Sequence, residues 1–571
     1  MEKNWVIKSL GAPKYVDKLS EELNIEKVLV NLLVQRNIRT YDGAKAFFRP
    51  SLDDLHDPFL MKDMDKAIER IDKALDSKEK ILIYGDYDVD GTTSVALVYS
   101  FFKKFYDQID YYIPDRYEEG YGISYKGIEF AIENHYSLII ALDCGIKAVE
   151  KVKFAREKGI DFIICDHHTA GDDIPEASAV LDPKRPDCTY PYKELSGCAV
   201  GFKLAQAYAN NKNIPQEEVY DLLDLVAVSI ASDIVPLTGE NRVLEFYGLK
   251  KLNEKPRKGL KAIIKLSGIE NKEINVSDIV FKIGPRINAA GRMESGRRSV
   301  DLLIANNDDL AMEMGLEINT YNQERRNIDA SITSEALQII SSDPDLYNRK
   351  TTVLFNSAWH KGVVGIVASR LTETYYRPTV ILTESNGLAT GSARSVAGYD
   401  LYQAIESCSD LLENFGGHMY AAGLTLKVGN VPIFRERFEK IVADTILPDQ
   451  LIPKIEVDGV ISLNDITPKF YRILKQFEPF GPENMRPVFI TENVVDNGDS
   501  RLVGSNSEHL KLCLIQEDDP YKVNDAIAFH QSEHFKRIKK GIPFDICYTI
   551  EENEYMGNIT LQLKIRDIKF D

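Results

Sequence analysis

Cysteine is scarce in this sequence, and its few positions follow no pattern. Seven cysteines are spread over 571 residues without a Cys-x-x-Cys pair. This argues against a zinc site built from cysteines and against a disulfide framework, and it is typical of reduced thiols in the cytoplasm. An uninterrupted apolar run of about 18 residues, which a transmembrane helix needs, is also lacking. We therefore expect a cytoplasmic protein that does not contact membranes.

Positive charge is in deficit, with 70 Lys and Arg against 88 Asp and Glu and a net charge of −18. A protein that coats nucleic acid is normally basic, so that class is disfavoured. An enzyme with a local basic track is not excluded, because an electrostatic field depends on where the charges lie. One such track exists at residues 284–298, which hold four arginines and one glutamate.

Three apolar runs that have the pattern of β-strands each end in metal-type ligands. The first run is followed by Asp86, Asp88 and Asp90, the second by Asp143, and the third by Asp166, His167 and His168. The carboxyl ends of parallel strands meet at one edge of an open α/β sheet. Acids crowded there repel one another unless cations hold them together. The pattern therefore predicts a metal centre at this edge.

The alternation of Asp86, Asp88 and Asp90 before Gly91 also matches the start of an EF-hand calcium loop. That loop requires a glutamate at position 12, where this chain has Leu97, and it follows a helix, not a strand. Solvated acids in a surface turn would account for one cluster but not for three. The metal-centre interpretation is favoured over both alternatives.

Carboxylates and imidazoles without thiolates favour Mn²⁺ or Mg²⁺, and the imidazole favours manganese. The candidate ligands are Asp86, Asp88, Asp90, Asp143, His167 and Asp233. This number exceeds what one catalytic ion needs, so we expect two ions about 3.5–4 Å apart, bridged by Asp143. Such a pair suits in-line hydrolysis of a phosphodiester by a metal-held water. For His168 two roles stay open: packing beside a ligand, and contact with a substrate phosphate.

Strand and helix patterns alternate from residue 81 onward, which predicts an α/β fold with a parallel sheet covered on both faces. Helices are expected at 92–105 and 219–231. Residues 302–342 contain no proline and predict one or two long helices, with Gly315 as a candidate break. A second α/β unit follows, and short strands after residue 453 predict a small β-barrel.

The domain organisation that we predict has five segments. They are a helical segment at 1–78, a catalytic α/β domain at 79–300, a connecting helix at 301–345, a second α/β domain at 346–446 and a barrel at 447–571.

These motifs resemble the DHH phosphoesterase superfamily and, within it, the RecJ-type family of single-strand-specific DNA exonucleases. The resemblance depends on the acid cluster 86–91 and on the segments 142–145, 166–168, 232–237, 285–292, 360–370, 391–395 and 416–423. It implies DHH and DHHA1 domains joined by a long helix, followed by an OB-type barrel. It also implies 5′-to-3′ hydrolysis of single-stranded DNA to 5′-mononucleotides with two Mn²⁺ ions, or Mg²⁺ as a substitute, in DNA repair and recombination.

The same resemblance implies a distribution of the ligands between the two ions. Asp88 and Asp143 would hold one ion, with Asp86 in or near its shell. The other ion would be held by Asp90, Asp143, His167 and Asp233. Many superfamily members have a histidine where this chain has Tyr84, a poor Mn²⁺ ligand, so the shell of the first ion is left open.

Several residues are candidates for contact with nucleic acid. Ser392, Arg394 and the backbone N–H groups around Gly416 and Gly417 form a donor set suited to phosphates. Arg116 is similar in position to a family arginine near the 5′ end. The remaining candidates are Arg286, Asn288, Arg292, His360 and His418. The alternatives are a helix cap for His418 and surface ion pairs for Arg286 and Arg292.

Other functions compete with the exonuclease. Oligoribonucleases and cyclic-dinucleotide phosphodiesterases of the superfamily tend to lack the barrel, and a pyrophosphatase would not need the residues after about 445. A non-catalytic replication scaffold would have lost its metal ligands, which this chain retains. No residue set that we identify senses a 2′-OH, so DNA and RNA are not distinguished. Single-strand-binding protein and a RecQ-type helicase are expected partners from the family alone.

Overall fold

The apolar run before the first acids forms the strand Lys80–Gly85, which is buried after its first residue. The structure is a computed structural model, and it describes residues 3–517, 519–555 and 557–570. Parallel neighbours on the two sides build a five-stranded sheet. In spatial order the strands are Ile109–Tyr112, Lys80–Gly85, Tyr136–Leu142, Asp161–Cys165 and Ala179–Leu181. All four pairings are parallel, as predicted. The carboxyl ends of the strands therefore lie at one edge.

Helices cover both faces of this sheet. They are Met64–Asp76, Val89–Lys103, Tyr125–Glu133, Val149–Glu157, Gly197–Lys212, Glu217–Tyr220 and Leu223–Asp233. The helix expected at 92–105 begins earlier, because Asp88 caps it by accepting a hydrogen bond from Gly91 N at 3.0 Å. The single helix expected at 219–231 is two helices, separated at Leu222, whose φ and ψ of −102° and 1° are not helical.

A group of helices follows the parallel sheet and ends in a long helix. Their bounds are Gly239–Glu254, Lys258–Leu266, Val276–Asp278, the π-helical turn Ile279–Ile283, Gly284–Met293, Arg297–Leu303 and the long helix Asp308–Ser342. Of the two alternatives, one helix or two, the structure has one: Gly315, the candidate break, does not interrupt it. A Cβ at Gly315 would lie 3.1 Å from Leu266 Cδ1 and 3.2 Å from Ala262 Cβ. The glycine thus permits two helices to pack closely.

The second α/β unit is built on a mixed five-stranded sheet. In spatial order its strands are Leu412–His418, Ala421–Lys427, Leu388–Arg394, Thr379–Ser385 and Thr352–Phe355. Its helices are Val364–Tyr375, Leu401–Glu406 and Val431–Thr445. Val364, Val367 and Leu371 share a buried cluster with Ile332 and Ile340 of the long helix. The long helix is therefore part of the core of this unit.

A closed five-stranded barrel lies in the C-terminal part of the chain, as predicted. Its strands are Phe489–Asp496, Phe544–Tyr555, Asn558–Lys569, Asp519–Ala528 and His509–Gln516. The pair Val495 and Ile515 closes the ring between the first and last strands. The helix Pro468–Lys475 contributes Phe470 and Leu474 to the barrel core.

Residues 1–51 belong to the same compact unit as 452–571, and residues 52–451 form the other unit. The N-terminal strand Asn4–Ile7 pairs in parallel with Lys454–Val457. The helices Pro13–Leu23, Lys27–Gln35 and Tyr41–Phe48 follow it, whereas Met64–Asp76 lies in the larger unit. The five-segment division, with its helical segment at 1–78, stays a proposal. The long helix is too polar to cross a bilayer, and among the described residues no other helix meets the required length and hydropathy.

Candidate metal centre and nucleic-acid cleft

The carboxyl edge of the parallel sheet brings four ligand-type side chains together. His167 Nε2 lies 3.2 Å from Asp143 Oδ1, 3.5 Å from Asp233 Oδ2 and 3.6 Å from Asp90 Oδ2. Asp143 directly follows one strand, and His167 is the second residue after the neighbouring strand. Asp90 lies in the first turn of one helix and Asp233 ends another. Four segments far apart in sequence thus converge on one point.

Two overlapping groups of three have ligand atoms within 4.8 Å of one another. One contains Asp90, His167 and Asp233, and the other contains Asp143, His167 and His168. Asp86 and Asp88 belong to neither group. The Asp88 carboxylate is partly engaged in capping a helix, and Asp86 is buried beside it. Burial first, and the charge of Asp88 second, raise the pKa of Asp86 well above its usual range.

The Asp90 carboxylate is fixed by three donors from two other helices. It accepts hydrogen bonds from Gly197 N at 2.7 Å, Cys198 N at 2.8 Å and the Ser229 hydroxyl at 2.7 Å. The first two donors are the N-terminal N–H groups of the helix Gly197–Lys212, which favour a negative charge. Asp90 is therefore held in one orientation while retaining lone pairs for an ion.

Backbone conformations beside the metal centre are unusual. Asp143 has φ of 57° and Ile234, directly after Asp233, has φ of 60°. This left-handed region is costly for a residue with a Cβ, and most of all for a β-branched one. Gly197 packs so closely that a Cβ there would lie 2.6 Å from Asp143 Cβ. The position of Asp143 thus depends on close backbone packing.

The buried polar atoms at this point fit a divalent cation. Among the described residues, Asp143 Oδ1 and both ring nitrogens of His167 are buried without a hydrogen-bond partner. Burial first, and then the charges of Asp90, Asp88 and Asp233, raise the pKa of Asp143 well above its usual range. Such atoms are stabilised by a cation that replaces the missing partners and offsets the repulsion. Oxygen and imidazole donors without a thiolate suit Mn²⁺ and Mg²⁺.

His168 lies at the opening of the site and is oriented by Asp166. Its Nδ1 is 2.7 Å from Asp166 Oδ1 and its Nε2 is 2.9 Å from the Tyr121 hydroxyl. Burial disfavours the imidazolium, but the hydrogen bond and charge of Asp166 outweigh burial and raise the pKa of His168 to about 9. Asp166 also accepts hydrogen bonds from the N–H groups of Ile146, His167 and His168. A half-exposed, charged imidazole is suited to donating to a phosphate.

Tyr84 is directed away from the metal centre. Its hydroxyl donates to Gly122 O at 3.0 Å and accepts from Ser124 N at 3.1 Å. Its ring stacks on Tyr112 with the centroids 5.5 Å apart. The Tyr84 hydroxyl is thus engaged elsewhere and does not stand in for the family histidine.

A cavity of 620 Å³ lies between the two α/β domains, and a smaller one of 190 Å³ adjoins it. The larger cavity is lined by three arginines and one acid, together with apolar and small residues: Arg292, Arg370, Arg394, Glu373, Phe281, Ile366, Gly365 and Ser369. The smaller cavity is lined by Arg292, Asn288, Arg325 and Ser232, the last of which directly precedes Asp233. The two cavities share Arg292 and form one cleft, which reaches the chain neighbour of the ligand Asp233.

Guanidinium groups crowd this cleft. Arg292 Nη1 donates to Gly362 O at 2.9 Å, and Arg394 Nη1 donates to the Ser392 hydroxyl at 2.6 Å. Arg116 donates to Gly291 O at 3.1 Å and lies 4.0 Å from the centre of the Tyr87 ring. Burial first, and then the charges of Arg116, Arg325 and Arg394, lower the pKa of Arg292 to about 10. A bound anion would relieve this repulsion.

The other predicted contact residues have different surroundings. The Arg286 guanidinium donates to Asn319 Oδ1 and to the carbonyls of Lys282 and Leu266, which ties three helices together. Asn288 Oδ1 is buried, without a hydrogen-bond partner among the described residues. His360 Nδ1 accepts from Gly362 N at 3.2 Å.

The remaining candidates lie on the edge of the second sheet. Gly416, Gly417 and His418 are exposed in the strand Leu412–His418 and are not among the residues that line the cleft. His418 pairs with Ala421, which pairs in turn with Arg394. His418 is therefore two strands away from Arg394.

The fold brings three residues to the site that the sequence did not indicate. Arg325 and Phe281 line the cleft, and Tyr121 contacts His168. Arg325 belongs to a charged stretch of the long helix that resembles ordinary surface. Asp166 was expected among the metal-type ligands at a strand end, but its carboxylate orients His168 instead.

Three family models match this chain: the DHH family N-terminal domain at residues 80–230, the DHHA1 domain at 348–444 and the RecJ OB domain at 457–567. The Bacillus subtilis protein named single-stranded-DNA-specific exonuclease RecJ is 39% identical over 554 residues, which cover 97% of this chain and 69% of the relative. The chain belongs to the RecJ family. The Escherichia coli RecJ is 32% identical, with 88% of this chain and 90% of the relative covered.

A solved member of the RecJ family has the same fold. The crystal structure of RecJ in complex with Mn²⁺ from Thermus thermophilus matches with a TM-score of 0.84 and 25% identity, covering 100% of this chain and 80% of that one. Membership in the RecJ family confirms the resemblance, the fold class with its OB-type barrel, and the prediction of a nuclease.

Proposed function

We propose that this chain is a metal-dependent exonuclease specific for single-stranded DNA, which releases 5′-mononucleotides in the 5′-to-3′ direction. One observation carries the proposal: in a member of the RecJ family, Asp90, Asp143, His167 and Asp233 cluster together, and an arginine-lined cleft reaches Ser232, the chain neighbour of Asp233. Two Mn²⁺ ions, with Mg²⁺ as a substitute, are the proposed cofactors. Structures named for RecJ with Mn²⁺ and with Mg²⁺ support this choice.

The first set in the proposed division of ligands is supported by the distances to His167, and the second set is taken from the family resemblance. Asp90, Asp143, His167 and Asp233 would hold one ion, and Asp86, Asp88 and Asp143 the other. The ions would supply an activated water and offset the charge on the phosphate. Asp88, Asp90 and Asp143 are thus the proposed catalytic carboxylates. His168, held by Asp166, would donate a hydrogen bond to a phosphate oxygen.

The proposed phosphate contacts are arginines of the cleft. Arg292 and Arg394 line the larger cavity, and Ser392 and Arg116 lie beside them. We assign Ser392, Arg394 and Arg116 to a 5′-terminal phosphate. The cavity of 620 Å³ has the size of a small-molecule site. It suits a nucleotide of one strand, and the proposal is that a duplex does not enter.

Weaker contacts are proposed for the backbone of Gly416 and Gly417 and for His418, His360, Asn288 and Arg286. The first three are exposed on the edge strand Leu412–His418, two strands away from Arg394. Asn288 lines the smaller cavity. Arg286 is the weakest of the set, because its guanidinium already donates to Asn319 and to two carbonyls.

The barrel would bind single-stranded DNA, as OB folds do without reading sequence. A role in DNA repair and recombination, a cytoplasmic location, and partnership with single-strand-binding protein and a RecQ-type helicase complete the proposal. These last points depend on family membership alone.

The deciding experiment is digestion of end-labelled single-stranded DNA, single-stranded RNA, duplex DNA and a cyclic dinucleotide with Mn²⁺ or Mg²⁺. Mononucleotides are expected from the 5′ end of single-stranded DNA. Asp143→Ala should abolish this release, while Asp107→Ala, a change at an almost fully exposed acid, should not. Preference for RNA or the cyclic dinucleotide would point to the other superfamily activities. Release that survives Asp143→Ala would contradict the proposed metal centre.

A further inference from the structure

Phe281 is a large apolar side chain that the fold leaves in water. It is 74% exposed, although it lines the larger cavity of the cleft. Burial of a phenyl ring is strongly favourable, so folding alone gives no reason for this exposure. Its neighbours Ile279 and Ile283 in the same turn are fully buried. The turn is thus firmly anchored while its phenyl ring faces the cavity.

The local backbone fixes Phe281 relative to the metal centre. Ile279–Ile283 is a single π-helical turn, a rare conformation that occurs frequently at functional sites. The following Gly284 packs so closely that a Cβ there would lie 2.8 Å from the Ser232 hydroxyl oxygen. Ser232 directly precedes Asp233. The segment that carries Phe281 is therefore packed against a ligand-bearing helix.

Guanidinium groups line the same cavity. Arg370 is paired with the buried Asp329 at 2.6 Å. Arg292 and Arg394, by contrast, donate to neutral acceptors: the Gly362 carbonyl for the first, and the Ser392 hydroxyl and Ala393 carbonyl for the second. Their charges are available to a phosphate. An aromatic face beside phosphate-binding cations is how proteins hold single strands without reading sequence.

We propose that Phe281 stacks on a nucleobase of the substrate strand while Arg292 and Arg394 hold the adjoining phosphate. The inference rests on the proposed function and adds a source of strand selectivity. A base in a duplex cannot turn its face to the cavity wall without unpairing and unstacking, which costs free energy. The contact is indifferent to base identity, because every base has a π-face.

Binding to the metal-free protein tests the stacking directly. The probe is a 5′-phosphorylated oligothymidylate with a fluorophore at its 3′ end, and the measurement is anisotropy in EDTA. Phe281→Ala should weaken binding on the order of 5- to 150-fold. Phe281→Tyr and Phe281→Trp should stay within about threefold of the parent, because they keep a stacking face. Phe281→Leu should bind as weakly as the alanine variant, because it keeps apolar bulk without a π-face.

A matched control is Phe59→Ala, which removes another exposed phenyl, 41% accessible, on the short helix Pro58–Leu60. Its binding should equal that of the parent. Unchanged binding by Phe281→Ala, or full rescue by Phe281→Leu, would overturn the stacking role. A leucine rescue would indicate that the ring contributes only apolar bulk.

Abasic substitution locates the contacted base. In a series of strands that each carry one abasic residue, the parent should lose affinity at one position by the same factor as Phe281→Ala loses on the intact strand. The alanine variant should lose nothing further at that position. If the abasic loss persists in full in the variant, the base contacts another residue and the inference is wrong. A parent that fails to digest single-stranded DNA would instead contradict the proposed function.

Discussion

Asp166 shows how one carboxylate can set the geometry of a site without holding an ion. It accepts three backbone N–H groups and the Nδ1 proton of His168. Asp166→Ala is expected to lower kcat by about 10- to 100-fold, because groups that orient ligands matter by that factor. The measurement is kcat from steady-state kinetics at saturating Mn²⁺. Asp172→Ala, a change at an exposed acid nearby, should leave kcat unchanged. An equal kcat for both variants would refute this orienting role.

Arg394 offers a test of the proposed 5′-phosphate contact. The parent should prefer a 5′-phosphorylated strand to a 5′-hydroxyl strand, and Arg394→Ala should reduce that preference by about 10-fold or more, the worth of a charge-assisted hydrogen bond. The measurement is the ratio of kcat/KM for the two strands. Arg437→Ala, which removes an exposed arginine paired with Asp410, serves as the control. If Arg394→Ala lowers both kcat/KM values equally, the residue does not bind the terminal phosphate.

The roles of residues near the metal centre could be predicted where those residues follow a strand. Asp143 and His167 each come after a buried apolar run, and parallel strands must end together. The Arg286 hydrogen bonds were not predictable, because one acceptor, Leu266 O, lies 20 residues away. The exposure of Phe281 could not be predicted, because the sequence does not distinguish an exposed phenylalanine from one buried in a core.

At the scale of elements, the N-terminus of the helix Gly197–Lys212 supports two ligands. It donates to Asp90 and packs against Asp143. Gly197→Ala would place a Cβ 2.6 Å from Asp143 Cβ, so Asp143 must move and Mn²⁺ affinity should fall by about 10-fold or more. Calorimetric titration of the protein with Mn²⁺ measures this affinity. A Cβ at Gly429 would meet nothing within 4 Å, so Gly429→Ala should bind Mn²⁺ like the parent. Equal affinities for both variants would contradict this support.

The packing of the long helix gives a stability prediction. Gly315 allows the helix Lys258–Leu266 to approach, with Ala262 and Leu266 in contact distance of a Cβ. Gly315→Leu is expected to destabilise by about 1–3 kcal/mol through overpacking. Leu316→Ala, at a half-exposed position on the next residue, should change stability by less than about 0.5 kcal/mol. The free energies of unfolding of the two variants are compared by denaturant unfolding, which circular dichroism follows. A gain in stability for Gly315→Leu would show that the helices can separate without cost.

Element types were predicted better than element ends. The strands of the parallel sheet follow from their apolar runs, whereas the helix after the acids begins at Val89 because Asp88 caps it. Gly315 looked like a break because glycine is a poor helix former. The long helix continues through it because close packing with Ala262 and Leu266 favours a residue without a side chain. Such tertiary reasons are not visible in a local pattern.

At the scale of the whole molecule, metal binding should contribute to stability. The buried acids Asp90 and Asp143 both lie beside His167, and a cation offsets their repulsion. At about 100 times its dissociation constant, Mn²⁺ should stabilise by about 2.7 kcal/mol. A thermal melt of the intact chain in EDTA and in Mn²⁺ measures the shift.

Asp143→Asn is the matched variant for this melt. It should melt higher than the parent in EDTA, because a buried like charge is removed, and should gain little from Mn²⁺. A parent whose melting temperature is the same in EDTA and Mn²⁺ would contradict a metal centre in the folded protein.

The net charge of −18 does not reveal where the charged side chains cluster in the fold. It argues against a nucleic-acid-binding protein in general, yet Arg292, Arg370 and Arg394 line one cleft. They come from three segments whose proximity only the fold determines.

The unbroken long helix has a consequence for the product. Its 35 residues span about 52 Å, with Asn319 bonded to Arg286 near one part and Asp329 bonded to Arg370 further along. One rigid rod thus joins the domain that would cut to the domain that would grip the 5′ end. Under the proposed function, the distance from the 5′-phosphate contact to the metal centre would then be constant, and it would set how many nucleotides are released at each step, whatever the sequence of the strand.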